Sequence, residues 1–297
     1  MREPALVRML PDGRRLHLHD GPIDLIIEAT SSKDNVEAAY EAASRRFVSI
    51  LDELCAELPL LRSQARRNSP RPSGAIAQRM FAAVAPYAEQ CFITPMAAVA
   101  GAVAEAVLAS MTDAAPLERA YVNNGGDIAL HLTDDQWYRV GMVERPDRAS
   151  LFGSLEISAS EPVRGIATSG WRGRSFSLGI ADAVTVLAET AAGADAATTV
   201  TANAVNLPGH PAITRAPAHE IAPDSDLGDL LVTRDVGPLT LSEIHFALAS
   251  GAQIAELLRS KNLIHSAALC LQGRTRVIAP LPAQISVELP HRSLLHA

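Results

Sequence analysis

Three short stretches carry residues whose types and spacing could do chemistry. Residues 121–132 read YVNNGGDIALHL, with alternating apolar residues around Asn123-Asn124-Gly125-Gly126-Asp127. Glycines pack nothing in a strand and cost backbone entropy. Either a tight hairpin turn needs their left-handed backbone, or something must approach the main chain here. The second stretch is Thr168-Ser169-Gly170-Trp171-Arg172-Gly173-Arg174-Ser175. Free backbone N–H groups and guanidinium forks in such a run can wrap an anion; the same residues also suit a glycine turn with solvated arginines. The third is Gly193-Ala194-Asp195-Ala196-Ala197-Thr198-Thr199. On a helix, Asp195 and Thr199 share a face, with Asn203 one turn further along. Two readings stand for this pair. Asp195 caps the helix and Thr199 bonds back within it, or the carboxylate and hydroxyl are hard oxygen ligands suited to Mg2+, an ion that keeps several waters and sits beside a substrate phosphate.

Other titratable residues are more scattered. His210 in LPGHPA and His219 in APAHEIAPDSD lie in proline-rich loops beside Glu220 and Asp224. Each is a candidate acid–base carried by a lid, or an ordinary solvated histidine. Asp226 and Asp229 read as caps and turns. His17 and His19, two apart, point to one face of a strand, with no third metal ligand nearby in sequence. Cys55, Cys91 and Cys270 are far apart and lack metal-ligand spacing, so each reads as a small hydrophobe in a reducing compartment.

The elements that must position these residues follow from periodicity. Runs at 5–10, 15–19 and 23–29 alternate and are joined by Pro11-Asp12-Gly13 and Asp20-Gly21-Pro22, an antiparallel meander. Asp34 and Glu37 form a capping-box pattern ahead of a helix to about Leu58. Residues 62–75 are polar and rich in proline and serine, a loop free to move, and a second helix covers 76–87. Thr94 and Pro95 open an apolar, small-residue helix through Met111. Its 96–111 core carries Glu105 and is too short to span a bilayer. Strands are expected at 138–144, 155–159, 183–188, 267–271 and 285–289. Helices are expected from about Asp195, and from the Thr240/Glu243 capping box to about Leu258. Strands and helices come in groups rather than in strict alternation, which predicts an α+β fold with antiparallel sheet. No repeat of 20 to 50 residues is visible.

At 297 residues, 48% hydrophobic and 20% charged, the chain can bury a large core as one domain over 1–297, with two joined lobes. A net charge of −7 with only scattered arginine pairs argues against a nucleic-acid or anionic-membrane binder. No signal peptide is evident in the charged opening MREPALVRML, so the expected location is cytoplasmic. The alanine-rich helices would permit a homodimer.

Taken in order, the three stretches resemble the ApbE superfamily, the FAD:protein FMN transferases. The matching residues are Asn123, Gly125, Gly126, Asp127 and Ile128; Thr168, Ser169 and Gly170; Val184, Thr185, Val186 and Ala188; and Ala194, Asp195, Ala196 and Thr199. The ordered match covers roughly 121–205. The resemblance implies an α+β fold holding FAD in a cleft between two halves. It also implies Mg2+ held by Asp195, Thr199 and a main-chain carbonyl, so that FMN passes to a threonine or serine of a target protein. On that resemblance, Asn123, Gly125, Gly126, Asp127, Thr168, Ser169 and Gly170 line the nucleotide, and the glycine doublet is where backbone approaches the cofactor. Arg172 and Arg174, which the family pattern does not supply, are expected from their own chemistry to meet phosphate or an acidic substrate. The chain also departs from the pattern. The interval after Ser169-Gly170 reads WRGRSFSLGIADA, without the histidine and Asp-Pro usual there, and the tail from Pro208 onward does not match. This marks a divergent branch in which ion and phosphate positions are kept while groups near the flavin differ. Three functions therefore compete: flavin transfer from FAD or a related pyrophosphate nucleotide; non-catalytic binding of flavin or another anionic small molecule in maturing a partner; and an enzyme of another class gripping a small carboxylate with the arginines.

Overall fold

A computed structural model describes residues 4–145 and 148–279. The first three strands form the expected meander: β1 (Leu6–Met9), β2 (Leu16–Asp20) and β3 (Ile23–Thr30). They continue without interruption into a nine-stranded sheet in which every neighbouring pair is antiparallel. Its further members are β4 (Arg119–Asn124), β5 (Asp127–Leu132), β8 (Gly165–Ser169), β9 (Ala183–Ala188), β12 (Ser266–Leu271) and β13 (Arg274–Ile278). Two hairpins stand outside it, β6 (Trp137–Arg145) with β7 (Arg148–Ser158), and β10 (Ile213–Pro217) with β11 (Leu231–Val236). The fold is α+β with antiparallel sheet. Residues 285–289 lie outside the described residues.

Four helices cover one face of the sheet: α1 (Lys33–Ala56), α4 (Val99–Ala114), α5 (Ala191–Ala204) and α7 (Leu241–Ser260). Shorter ones, α2 (Leu58–Leu61), α3 (Ala75–Val84) and α6 (Ala218–Ile221), occupy the connections. The main core lies between these layers, with Leu25, Ile27, Val122, Val184 and Leu269 from the sheet meeting Phe47, Val103 and Ala194 from the helices. On the opposite face the β6–β7 hairpin closes a smaller core of Leu130, Leu132, Ile157, Val163, Ile166 and Leu187, where the Tyr121 and Tyr138 rings meet edge to face at 5.8 Å.

Helix ends differ from the sequence expectation in three places. The first residue outside α1 is Ser32 rather than Asp34, which lies in the first turn, where a carboxylate still favours the helix dipole. Thr94 and Pro95 open a 3-10 turn (Pro95–Ala98) that leads into α4, and the Thr94 hydroxyl donates to Asp226 rather than to its own helix. Pro95–Ala114 together are 20 residues, long and apolar enough by composition to cross a membrane, so the shorter span read from sequence is corrected. Its faces nonetheless pack inside the protein through Ala102, Val103, Val107 and Met111. The Thr240/Glu243 capping box on α7 is present as expected.

The alanine and glycine content of α4 and α5 has a direct geometric use. A Cβ built on Gly101 would lie 2.3 Å from the carbonyl oxygen of Ala191, so the two helices cross with main chain touching main chain. Glu105, four residues beyond that crossing on α4, then reaches the N-terminus of α5 and accepts from Ala192 N–H at 2.8 Å. Its other oxygen is held by Arg79 at 3.0 Å. Gly101→Ala should force the helices apart and lower unfolding stability by about 1–3 kcal/mol, the usual cost of overpacking. A urea-unfolding midpoint unchanged by that substitution would contradict the close crossing.

Candidate functional site

β4 and β5 are joined by two residues only, Gly125 and Gly126, with Asn124 opposite Asp127. Both glycines have positive φ, +67° and +114°, a combination that favours glycine at both positions of such a turn. Asn123 Oδ1 accepts the Gly126 N–H at 2.8 Å and fixes the turn. The hairpin reading is therefore right, and the group lying closest to the turn is a side chain of this protein. A Cβ on Gly125 would fall 1.7 Å from Nη2 of Arg174, whose exposed guanidinium lies across the turn. Asn124 anchors the turn to the start of α4 by donating to the Ala100 carbonyl at 3.2 Å.

Asp127, the first residue after the turn, points toward the start of α4 and the second turn of α5. Its Oδ1 accepts from the Thr168 N–H on β8 at 3.3 Å. Asp195 arrives from the other side, on α5. That helix begins at Ala191 with Thr190 as its cap, so Asp195 is an interior residue and not the cap that one sequence reading allowed. Asp195 Oδ2 accepts from the Gly101 N–H at 3.1 Å, the amide at the start of α4. Thr199, one turn further along the same face of α5, is half-buried.

The two carboxylates feel one another. Burial raises the Asp127 pKa to about 7, against the opposing pull of the Thr168 N–H and the Arg174 guanidinium. Burial, reinforced by repulsion from Asp127, pushes Asp195 well above the ordinary carboxylate range, although the Gly101 and Ala100 amides oppose it. Such a pair can settle by sharing a proton or by sharing a cation. The donors are all hard oxygen: two carboxylates with the Thr199 hydroxyl nearby. That set fits Mg2+ or Ca2+ and not a soft metal. Among the described residues no cluster of three or more histidine, cysteine, aspartate or glutamate side chains could hold a metal. A cation here would thus complete its shell with water or ligand oxygens, as Mg2+ commonly does.

The other expected site residues fall into two groups. Thr168 and Ser169 end β8 beside this turn, with Gly170 the next residue, and Thr168 Oγ1 pairs with Thr185 Oγ1 at 2.9 Å. Gly170 lies tight against the main chain at Asp182, where a Cβ would come within 2.3 Å of the carbonyl oxygen. Arg172 stacks on the Trp171 ring at 4.1 Å and donates through Nε to the buried Asp182 at 2.9 Å. Asp182 thus fixes one edge of that guanidinium, and it also accepts from Gln272 N–H at 2.6 Å. The Trp171 indole N–H is buried without an acceptor. The two loop histidines are both engaged. His210 Nε2 pairs with Glu243 at 2.9 Å at the start of α7, and His219 Nδ1 pairs with Asp229 at 3.0 Å. His17 and His19 share Asp24, at 2.6 and 3.5 Å. Sequence spacing pointed to Asp195 and Thr199 as a pair. It gave no sign that Asp127 would face Asp195, because that contact joins a turn and a helix 68 positions apart.

A family model described as AbpE bacteria matches residues 7–277. Curated relatives include a UPF0280 protein of Methanococcoides burtonii, 37% identical over 125 residues, or 42% of this chain and 51% of that protein. Another is a UPF0280 protein of Methanopyrus kandleri, 34% identical over 182 residues, or 61% of this chain and 69% of that protein. The chain spans about half the length of most of the curated relatives it matches. Among solved structures, the ApbE protein of Thermotoga maritima is 13% identical with a TM-score of 0.45, covering 93% of this chain and 96% of that one. The apo flavinyl transferase ApbE of Pseudomonas stutzeri is 11% identical with a TM-score of 0.46, covering 93% and 94%. Both are distant likenesses.

The carboxylate pair makes a signed prediction. Between the ordinary aspartate value of 3.8 and about 7, Asp127 holds its proton when folded and loses it when unfolded. The unfolded chain then binds fewer protons, so stability falls as pH rises through this window. Asp127→Asn should flatten that decline in unfolding curves taken at pH 4, 5.5 and 7. An unchanged slope would mean that burial does not hold the Asp127 pKa up in solution.

Proposed function

The chain belongs to the family described as AbpE bacteria, and from that premise we propose that it binds FAD or a related pyrophosphate nucleotide with Mg2+ at the Asp127–Asp195 site and passes the FMN group to a hydroxyl of a partner protein. In that transfer the pyrophosphate bond breaks, the nucleoside monophosphate half leaves and the hydroxyl proton is released. The observation that carries this reading is the convergence of Asp127 and Asp195, from a turn and a helix, on one partly enclosed spot with Thr199 beside it. A divalent ion there would neutralise the pair and the charge that grows on a pyrophosphate as its bond breaks.

The chain's own groups have separable roles. Asp195 and Thr199 would hold the ion, and Asp127, close enough to raise the Asp195 pKa, would add its charge to the same spot. The Gly125–Gly126 turn adds no side chain of its own, which leaves room for the Arg174 guanidinium to lie across it. Arg174, placed across that turn, meets phosphate oxygens with a two-pronged guanidinium. Arg172 is pre-oriented by Asp182 and Trp171, so little entropy is lost when it adds its charge. Thr168, Ser169 and Gly170 close the floor where β8 ends, and Asn123 holds the turn in shape.

A second reading is favoured by one observation: His210 and His219 are each held in an ion pair, and the interval 171–183 has no histidine. Neither of these two loop imidazoles makes a hydrogen bond to Asp127 or Asp195 among the described residues. This suits a protein that carries flavin, or another anionic small molecule, to a partner without transferring it. A third assignment, an enzyme acting on a small carboxylate, would use Arg174 and Arg172 with no flavin.

Calorimetric titration of FAD into the flavin-free protein, with and without Mg2+ and repeated on Asp195→Ala, separates these. Mg2+-dependent binding that the substitution abolishes is expected. Binding indifferent to both the ion and Asp195 would sink the assignment of the site. Tight binding without labelling of any hydroxyl-bearing protein would select the carrier.

A further inference from the structure

The segment 62–74, between α2 and α3, forms one wall of a cavity of about 610 Å3 that shares no lining residue with the Asp127–Asp195 site. Its floor is apolar: Ala65, Pro72, Phe81, Ala82, Ala85 and Ala88. Its rim carries Arg66, Arg67 and Arg71, with Glu89 as the one acidic side chain. That gives three positive charges against one negative, a local surplus of +2 in a chain whose net charge is −7. Among the described residues none of the three guanidiniums makes an ion pair. Arg66 Nη2 donates to the neutral Gln64 at 3.0 Å, and Glu89 Oε1 is occupied by the Arg67 backbone N–H at 2.9 Å. Nearby Arg62, by contrast, is neutralised by Asp224 at 2.8 Å.

The wall is built rather than draped. Ala65 N–H donates to the Ile93 carbonyl at 2.8 Å, and Arg66 N–H donates to Ser69 Oγ at 3.0 Å. Ser73 and Gly74 N–H groups both donate to the Glu57 carboxylate, at 2.8 and 2.7 Å, and Gln78 Nε2 donates to the Pro72 and Ser73 carbonyls. The segment is thus tied at its start, turn and end, and its arginines project from a fixed main chain. A cavity of several hundred Å3 with an apolar floor and a few convergent polar groups is the usual form of a small-molecule site.

We propose that this cavity binds a phosphate monoester on a flat apolar body, independently of the Mg2+ site. The surplus of +2 matches a phosphate monoester, which carries about −1.5 to −2 at pH 7. Guanidinium forks match its three terminal oxygens. The Phe81 ring with the short Ala82, Ala85 and Ala88 side chains offers a surface on which a flat body lies without displacing anything. A free inorganic phosphate would leave that surface wet, and an uncharged aromatic would leave the arginines unmet.

The test titrates 1-naphthyl phosphate into the intact protein with EDTA present, beside 1-naphthalenesulfonate, 1-naphthol and inorganic phosphate, all followed by competition or intrinsic fluorescence. Naphthyl phosphate should bind at least about tenfold tighter than either the naphthol or the phosphate, with the singly charged sulfonate between, since each charge-assisted contact is worth roughly tenfold or more. Arg67→Ala/Arg71→Ala should weaken naphthyl phosphate by about tenfold to a hundredfold, and Asp195→Ala should leave it unchanged. If the double variant unfolds, Arg71→Gln alone should show the smaller part of the same loss. Affinity that survives loss of the arginines, or inorganic phosphate binding as tightly as the aryl ester, would overturn the proposal. Loss of binding in Asp195→Ala would overturn it too, by assigning the probe to the carboxylate site.

Discussion

Two buried carboxyl groups that cannot comfortably ionise together are the constraint on which the candidate site depends. Asp127 and Asp195 repel when ionised, and neither neighbourhood relieves them fully. Asp127 has one amide and the edge of an arginine; Asp195 has the amides that open α4. Each partner is held by contacts made for other reasons: the two-residue turn, the Asn124 bond to α4, and the glycine crossing that brings α5 against α4. Removing any of these would let the carboxylates drift apart and relax. The strain therefore depends on the precision of the fold, the usual relation between a functional site and its scaffold.

Helix termini divide the work. The amides at the start of α4 are turned on Asp195. The start of α5 is already filled by Glu105, itself neutralised by Arg79. An anionic ligand can thus gain nothing from α5's positive end and must be met by side chains such as Arg174, or through a cation. That is consistent with a site rich in carboxylate and poor in free backbone donors.

Much of this was legible in the sequence. The opening meander, the β4–β5 turn, the α7 capping box and the grouping of strands and helices all follow from local patterns that the structure keeps. Asp195 and Thr199 were visible as a pair because helical spacing is local. What was not legible is non-local. β8 is only five residues long and runs straight into the glycine-rich segment 170–179, so Thr168 and Ser169 read as part of a glycine turn. α5 begins four residues before Asp195 because its cap is Thr190, a residue whose partner, Gly193, carries no sequence signal of its own. The commitment of Arg172 to Asp182, and of His210 to Glu243, depends on folded proximity that no spacing rule supplies.

The order of strands in the large sheet follows the order of the chain, from β1 at one edge to β13 at the other. Every departure from that path is a detour between adjacent strands: α1 to α4 between β3 and β4, the β6–β7 hairpin between β5 and β8, and α5 to α7 between β9 and β12. A detour closes on itself, and doubling its length costs only about 0.6 kcal/mol of closure entropy. Strand registry is thereby insulated from changes in the excursions. The sheet can be inherited unchanged while whole helical segments, including the arginine-lined wall at 62–74 and the region beyond Pro208, are lengthened or rewritten. Changes of length between strands thus cost little and leave the pairing within the sheet intact.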